Sequence, residues 1–204
     1  MARATQSRSS DSPRDAVALL KQDHRTVESL FKDFEDADES EQASIAEHVC
    51  QLLTVHAQIE EEILYPAAQQ ALEEDEEDEE LVYEAQVEHG SAKELISKIE
   101  GMPPDDASFK ATVKVLSEYI KHHVKEEENE LFPRLKKTEL DLRVMGERLA
   151  ERKHALMEEM GIQEEEARPA TPRARSRATQ ARSSSSRGNR KSSRSGSHGR
   201  TARH

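Results

Sequence analysis

Residues 56–66 read HAQIEEEILYP and residues 123–133 read HVKEEENELFP. In each string a histidine is followed four residues later by a glutamate, His56 with Glu60 and His123 with Glu127. A proline behind a leucine–aromatic pair closes both. Residues four apart share one face of an α-helix, so each string sets an imidazole and a carboxylate side by side.

Apolar residues at helical spacing run into both strings. Before the first come Ile45, Val49 and Leu52; His56, then Ile59 or Glu60, and Ile63 continue the row to about Leu72, with Ser40 the expected cap. Before the second come Phe109, Val113, Leu116 and Ile120, leading through His123 and Glu127 to Leu131, in a helix expected from about Asp105. Two more stripes each enclose one histidine. Val17, Leu20, His24, Val27, Phe31 and Phe34 follow SPRD, where Ser12 is the expected N-cap, Pro13 the first helical residue and Asp15 part of the first turn. Val82, Ala85, His89, Ala92, Ile96 and Ile99 run from about Leu81 to a stop at GMPP, residues 101–104. His24 precedes His56 by 32 residues and His89 precedes His123 by 34, which marks an internal repeat of a helical hairpin.

The expected fold is therefore all-α, an antiparallel up-and-down four-helix bundle over residues 13–137. An extra helix from Glu139 to Met160, within residues 138–162, carries Leu142, Met145, Leu149, Leu156 and Met160 and is expected to pack outside the bundle. The acidic run EEDEEDEE, residues 73–80, repels itself and is expected to be a solvated connection or a frayed helix end. Pro66 and Pro133, late in their helices, are expected to kink them. Residues 1–12 lack periodicity, and residues 163–204 are Arg/Ser-rich with almost nothing apolar to bury; both segments are expected to be disordered.

Composition agrees. The 204 residues suffice for one ordinary domain plus extensions; aromatics are scarce, Trp is absent, Gly and Pro are few, and Glu, Ala, Leu, Lys and Arg are abundant, which favours helices over sheets. The single cysteine, Cys50, excludes an internal disulfide and a Cys-based zinc or iron–sulfur site; it points to a reducing cytoplasm and is expected to be a small buried apolar residue. No stretch approaches the length of a membrane span, so a soluble cytoplasmic protein without membrane attachment is expected. The net charge of −12 conceals a division: from Arg168 onward there are eleven Lys or Arg and no acid, leaving nineteen basic against all 42 acidic residues before it.

Four antiparallel helices bring the four inward histidines and two inward glutamates toward one interior. Burying that many polar groups without partners costs a few kcal/mol each, against a domain stability of about 5–15 kcal/mol. A pair of cations compensates, and nitrogen and oxygen donors in a bundle core suit iron or manganese, whereas structural zinc more typically uses cysteine. Either claw alone is a common surface pair; the conjunction of both claws with both single histidines in repeat register is what points to metal.

The set His24, HAQIEEEILYP, EHG at residues 88–90 and HHVKEEENELFP resembles the hemerythrin-like HHE cation-binding domain, over about residues 14–137. The resemblance implies a four-helix bundle holding two non-haem iron ions. It implies His24, His56, Glu60, His89, His123 and Glu127 as ligands, the two glutamates bridging, with manganese or zinc as weaker alternatives. It further implies binding or sensing of dioxygen, nitric oxide, peroxide or iron. One position departs from the family's oxygen carriers, which have a second histidine one turn after that on the third helix; here Lys93 stands there, and an ammonium cannot ligate a cation. That counts against reversible oxygen carriage. Water, Glu28 or Glu61 are candidates to fill the gap. His122 would exchange with His123 if the register slipped by one residue, and Tyr119, one turn before His123, is a candidate donor to the ligands, although a core role is simpler. Glu62, Glu126, Glu128 and Glu130 most simply form a solvated face.

Three functions follow: a di-iron binding or sensor module, a di-iron enzyme of oxidant detoxification, and a metal-free helical interaction module. No flavin or nicotinamide motif and no nucleophile elbow is present, so binding stands ahead of catalysis. The basic tail either makes nonspecific, salt-sensitive nucleic-acid contacts, without aromatics for stacking, or folds back loosely on the acidic domain.

Overall fold

The computed structural model describes residues 15–162. Helix α1 (Ala16–Asp36) pairs with α2 (Glu39–Ile59), which continues through a π-helical turn (Glu60–Leu64) into α3 (Tyr65–Leu72). Helix α4 (Glu76–Glu100) pairs with α5 (Phe109–Glu126), which continues through a second π turn (Glu127–Leu131) into α6 (Phe132–Leu135). The two hairpins close an antiparallel four-helix bundle, and α7 (Leu142–Glu159) lies against α1, α2 and the first π turn. Among the described residues no helix is long and apolar enough to cross a membrane.

The stripes expected on α1, α4 and α5 are buried throughout. Helix ends differ from expectation, because aspartates rather than serines cap them. Asp15, expected in the first turn, precedes α1 as its N-cap and accepts the Ala18 amide at 2.8 Å; Ser12 and Pro13 lie outside the described residues. Asp38 caps α2 by accepting the amides of Ser40 and Glu41, and the Ser40 hydroxyl only hydrogen-bonds back to it. Asp75 caps α4, so most of the acidic run forms that helix's first turns instead of a connection; carboxylates there face the positive end of the helix dipole. Helix α5 opens at Phe109, later than Asp105, after a turn in which Asp106 accepts the amide and hydroxyl of Ser108.

Helix α7 buries Met145, Leu149, Leu156 and Met157, while Met160, expected in its stripe, is 40% exposed at the helix end. Gly146 lets α7 approach closely: a Cβ there would meet the Ala16 nitrogen and the Asp15 carbonyl carbon at 2.7 Å.

The core divides in two. One apolar cluster holds Leu20, Ile59, Leu64, Tyr65, Phe132 and the inner face of α7; the other holds Val27, Phe31, Leu53, Ile96, Leu116 and Ile120. Between them, in every helix of the bundle, comes a histidine: His24 after Leu20, His56 after Leu53, His89 after Ala85, His123 after Ile120. A polar layer thus crosses an apolar bundle at mid-height.

Candidate metal centre

The six donors singled out by the repeat, His24, His56, Glu60, His89, His123 and Glu127, are all buried and meet in this layer. His24 Nε2 lies 3.2 Å from His56 Nε2, and His89 Nε2 lies 3.2 Å from His123 Nε2. Glu60 Oε2 stands 3.2 Å from His56 Nε2 and 3.4 Å from His89 Nε2. Glu127 Oε2 stands 3.3 Å from His24 Nε2 and 3.6 Å from His123 Nε2. Each carboxylate therefore reaches both histidine pairs. The donors form two sets with a shared member, His24, His56, Glu60 and Glu127 beside Glu60, His89 and His123.

Both oxygens of Glu60 and Oε2 of Glu127 are shielded from solvent and receive no hydrogen bond. An ionised carboxylate left that way is strongly disfavoured, and imidazole nitrogens that face one another with lone pairs repel. Cations between the pairs resolve both problems, and a set of four nitrogens and two carboxylates suits metals of intermediate hardness. The residues fit a two-cation centre. Without cations, protons take the role. Burial alone would lower the His123 pKa, but the charges of Glu127, Glu60 and Glu88 and the hydrogen bond to Glu88 outweigh it and raise it to about 9. His24 is shifted upward by the same balance, burial opposed by Glu127, Glu60 and Glu128. Burial would raise the Glu127 pKa, yet the surrounding imidazolium charges hold it well below the usual carboxylate range.

A carboxylate also faces each outward nitrogen, within hydrogen-bond reach at three of the four and farther away at His56. Asp23 on α1 faces His56 Nδ1 on α2 at 3.6 Å, and Glu61, in the first π turn, faces His89 Nδ1 on α4 at 3.1 Å. Glu88 on α4 accepts from His123 Nδ1 on α5 at 2.8 Å, and Glu128, in the second π turn, faces His24 Nδ1 on α1 at 3.0 Å. Each hairpin element thus hands a carboxylate to the next, and the sequence of hand-offs closes into a ring. Outside it lies a second ring of basic groups: Lys153 on Asp23, Lys93 on Glu61, His122 on Glu88 and Lys21 on Glu128. A carboxylate on Nδ1 directs the proton there and leaves Nε2 with its lone pair toward the interior.

Several residues singled out as candidates by their place in the sequence stand elsewhere. Glu61 belongs to the carboxylate ring, with its oxygens turned to His89 Nδ1 and Lys93 rather than to the interior. Glu28 is exposed on α1, and His122, also exposed, pairs with Glu88 and Glu126 on the outer side. Tyr119 packs against the second apolar cluster. Glu128, expected on a solvated face, is instead a ring member.

Two aromatic residues were not anticipated. Tyr65 is fully buried, with Oη 3.1 Å from His89 Nε2 and 3.1 Å from Glu127 Oε1. Phe132, its counterpart in the second string, stacks on the His24 ring at 5.9 Å between centroids. In an uninterrupted α-helix Tyr65 would point about 140° away from Glu60. The π turn, closed by the Tyr65 amide on the Glu60 carbonyl, adds a residue and brings it inward; Phe132 and Glu127 repeat the arrangement. Pro66 and Pro133 then follow at the start of the next helical segment, so a widened turn stands where kinks were expected. On the opposite side of the layer the histidines meet a cavity of about 20 Å³, walled by Val27, Leu53, Ala57, Ala92, Ile96 and Ile120.

The model of the hemerythrin HHE cation-binding domain matches residues 15–135. A solved hemerythrin HHE cation-binding domain-containing protein from Mycobacterium kansasii superposes with a TM-score of 0.61 at 22% identity, covering 71% of this chain and 88% of that one. A protein described as a DNA nickase from Nostoc sp. (strain PCC 7120 / SAG 25.82 / UTEX 2576) is 32% identical over 117 residues, 56% of this chain and 31% of the relative's length. The chain thus spans about a third of that relative. All six donors fall inside the matched span, on the helices and π turns that gather them, and the chain belongs to the hemerythrin HHE cation-binding domain family.

Proposed function

We propose that this chain holds two iron ions between its histidine pairs and binds or senses dioxygen, nitric oxide, peroxide or iron itself. The observation that carries the reading is the convergence of four imidazole Nε2 atoms on two buried carboxylates whose inner oxygens receive no hydrogen bond. His24 and His56 would hold one ion and His89 and His123 the other. Glu60 and Glu127, each within reach of both pairs, would bridge them. Mixed nitrogen and oxygen donors in a bundle core suit iron or manganese, and the resemblance to the hemerythrin-like domain favours iron. Bound iron would supply electron transfer toward the small ligand.

The protein's own residues do the rest. The carboxylate ring orients the imidazoles, the two apolar clusters exclude bulk water, and the cavity admits only a ligand of a few atoms. Lys93 is engaged with Glu61 and adds no imidazole, which favours sensing, or oxidant removal as the alternative, over reversible carriage.

Anaerobic loading with Fe(II) is expected to give about two irons per chain and a visible charge-transfer band on admission of air. Absence of bound iron, or undiminished binding in Glu60→Ala with Glu127→Ala, would overturn the reading. Multiple-turnover loss of peroxide would move it from sensor to enzyme.

The tail from Arg168 onward, outside the described residues, supports a second role. Its eleven basic residues without an acid favour nonspecific nucleic-acid contact, and the description of the Nostoc relative as a DNA nickase agrees with contact, though nicking is not part of this proposal. Truncation after Glu166 is expected to abolish retention on DNA at low salt; unchanged retention would remove the idea.

A further inference from the structure

Of the four basic groups that close the carboxylate ring from outside, one is unlike the rest. Lys153, Lys93 and Lys21 set an ammonium on Asp23, Glu61 and Glu128, whereas His122 sets an imidazole on Glu88. An ammonium has no lone pair, so three corners of the ring repel a cation and offer it no donor. A neutral imidazole has a lone pair and can ligate one.

The fourth corner also gathers acids. His122 and Glu126 repeat, one residue out of step, the spacing of His123 and Glu127, so α5 carries a second histidine and glutamate claw on its outer side. Glu88 Oε1 lies 3.2 Å from His122 Nδ1, and Glu126 Oε1 lies 3.4 Å from His122 Nε2. A neutral imidazole has one N–H for these two acceptors, which leaves a lone pair facing a carboxylate at the other. The three residues offer donor atoms that all lie within 4.8 Å of one another. Glu84 and Glu130 add their charge to that of Glu126, and no lysine or arginine among the described residues pairs with any of these four carboxylates.

This corner opens inward. A cavity of about 10 Å³, room for roughly one water or ion, has Glu84, Glu88 and Glu126 on its outer wall and the buried His123 and Glu127 on its inner wall. Glu127 is 2% exposed, and its Oε2 receives no hydrogen bond. Glu88 joins the two levels, because its Oε2 accepts from His123 Nδ1 at 2.8 Å while its Oε1 faces His122. A buried carboxylate with an unmatched oxygen therefore stands behind an exposed claw.

We propose that Glu88, His122 and Glu126 form an outer site for a divalent cation, where cations are captured before they pass to the inner donors. One nitrogen and two carboxylates suit Fe(II) or Mn(II), with water in the remaining positions. Three donors at the surface hold an ion less tightly than six in the core, and weak binding suits a point of transfer. The site uses none of the six inner donors; its role in loading rests on the two-iron reading above.

Uptake of Fe(II) by the full-length protein is measured anaerobically by equilibrium dialysis in about 0.15 M salt, which screens loose association with the other acids. Filling of the inner pair is timed by quenching with a chelator and counting the iron retained. The unmodified protein is expected to take up three ions, two tightly and one weakly. His122→Lys puts at the fourth corner the ammonium that the other three already carry, so it is expected to fold, to take up two ions and to fill them about tenfold more slowly. His154→Ala with Glu158→Gln removes an exposed claw on α7 that no third donor among the described residues joins, and is expected to keep all three ions and the faster rate. Two ions in the unmodified protein, or a third that persists in His122→Lys, overturns the outer site, and equal filling rates overturn its role in loading. A single weak ion, lost in His122→Lys, leaves the outer site standing and overturns the two-iron reading. Should His122→Lys fail to fold, His122→Ala must lose the third ion in its place.

Discussion

Asp23, Glu61, Glu88 and Glu128 never enter the donor layer, yet each faces the outer nitrogen of one imidazole. Glu88→Gln keeps the shape and removes the charge that favours a proton on His123 Nδ1. Metal affinity measured by chelator competition is expected to fall by about tenfold or more, with helix content unchanged. Glu126→Gln, whose carboxylate pairs with the exposed His122 rather than with an inner imidazole, serves as the control and should leave the inner affinity as it was. Cys50 behaves in the opposite way, as an inert residue. Burial, with the charges of Glu100 and Glu47, pushes its thiol up to about 12, so the native protein at about pH 8 should resist iodoacetamide and label fully only when unfolded. Labelling of the native state would contradict the assignment of Cys50 to the apolar core. The six inner donors were legible because each sits in an apolar stripe where a polar residue is conspicuous. The outer acids sit beside donors in sequence, Asp23 next to His24 and Glu128 next to Glu127, but in so acidic a chain an extra carboxylate carries no signal.

At the scale of elements, periodicity located every helix of the bundle and the fifth helix, because burial selects one face whatever happens at the ends. Caps were less legible: serine and aspartate compete for the same role within two or three residues, and aspartate won at α2. The π turns leave no mark in the sequence: a 3.6-residue period carries Tyr65 away from the centre, and only the added residue of the turn brings it inward. Helix α7 tests how tightly the fifth element is joined to the bundle. Gly146 brings it against the start of α1, where an added methyl meets backbone atoms that cannot rotate aside. Gly146→Ala is expected to lower stability by roughly 1–3 kcal/mol despite the better helix propensity of alanine. An unchanged thermal midpoint would mean that α7 yields at no cost. The same docking places Lys153 on Asp23, so loosening α7 should also weaken metal binding through His56.

For the molecule as a whole, the polar layer makes metal content and stability one question. In the metal-free protein His123 has a pKa raised from its ordinary 6.5 to about 9, so the folded state binds that proton more tightly than the unfolded chain. The resulting stabilisation is complete below about pH 6.5 and is lost as pH rises toward 9; the upward shift of His24 acts in the same direction. Glu127, held well below its ordinary 4.5, contributes stability that is present above that value and lost as pH falls. The metal-free bundle should therefore be most stable between about pH 4.5 and 6.5 and weaken on the alkaline side by an amount of order a few kcal/mol. Cations compete with the same protons, because a ligating imidazole must be neutral. As pH rises they bind more tightly while the protonated alternative fails. The gap in thermal midpoint between iron-loaded and metal-free protein should widen steadily from about pH 6.5 to 9, and loading near neutral pH in weak buffer should release protons. A gap that stays constant across that interval, with no proton release, would show that the histidines are not where the metal binds.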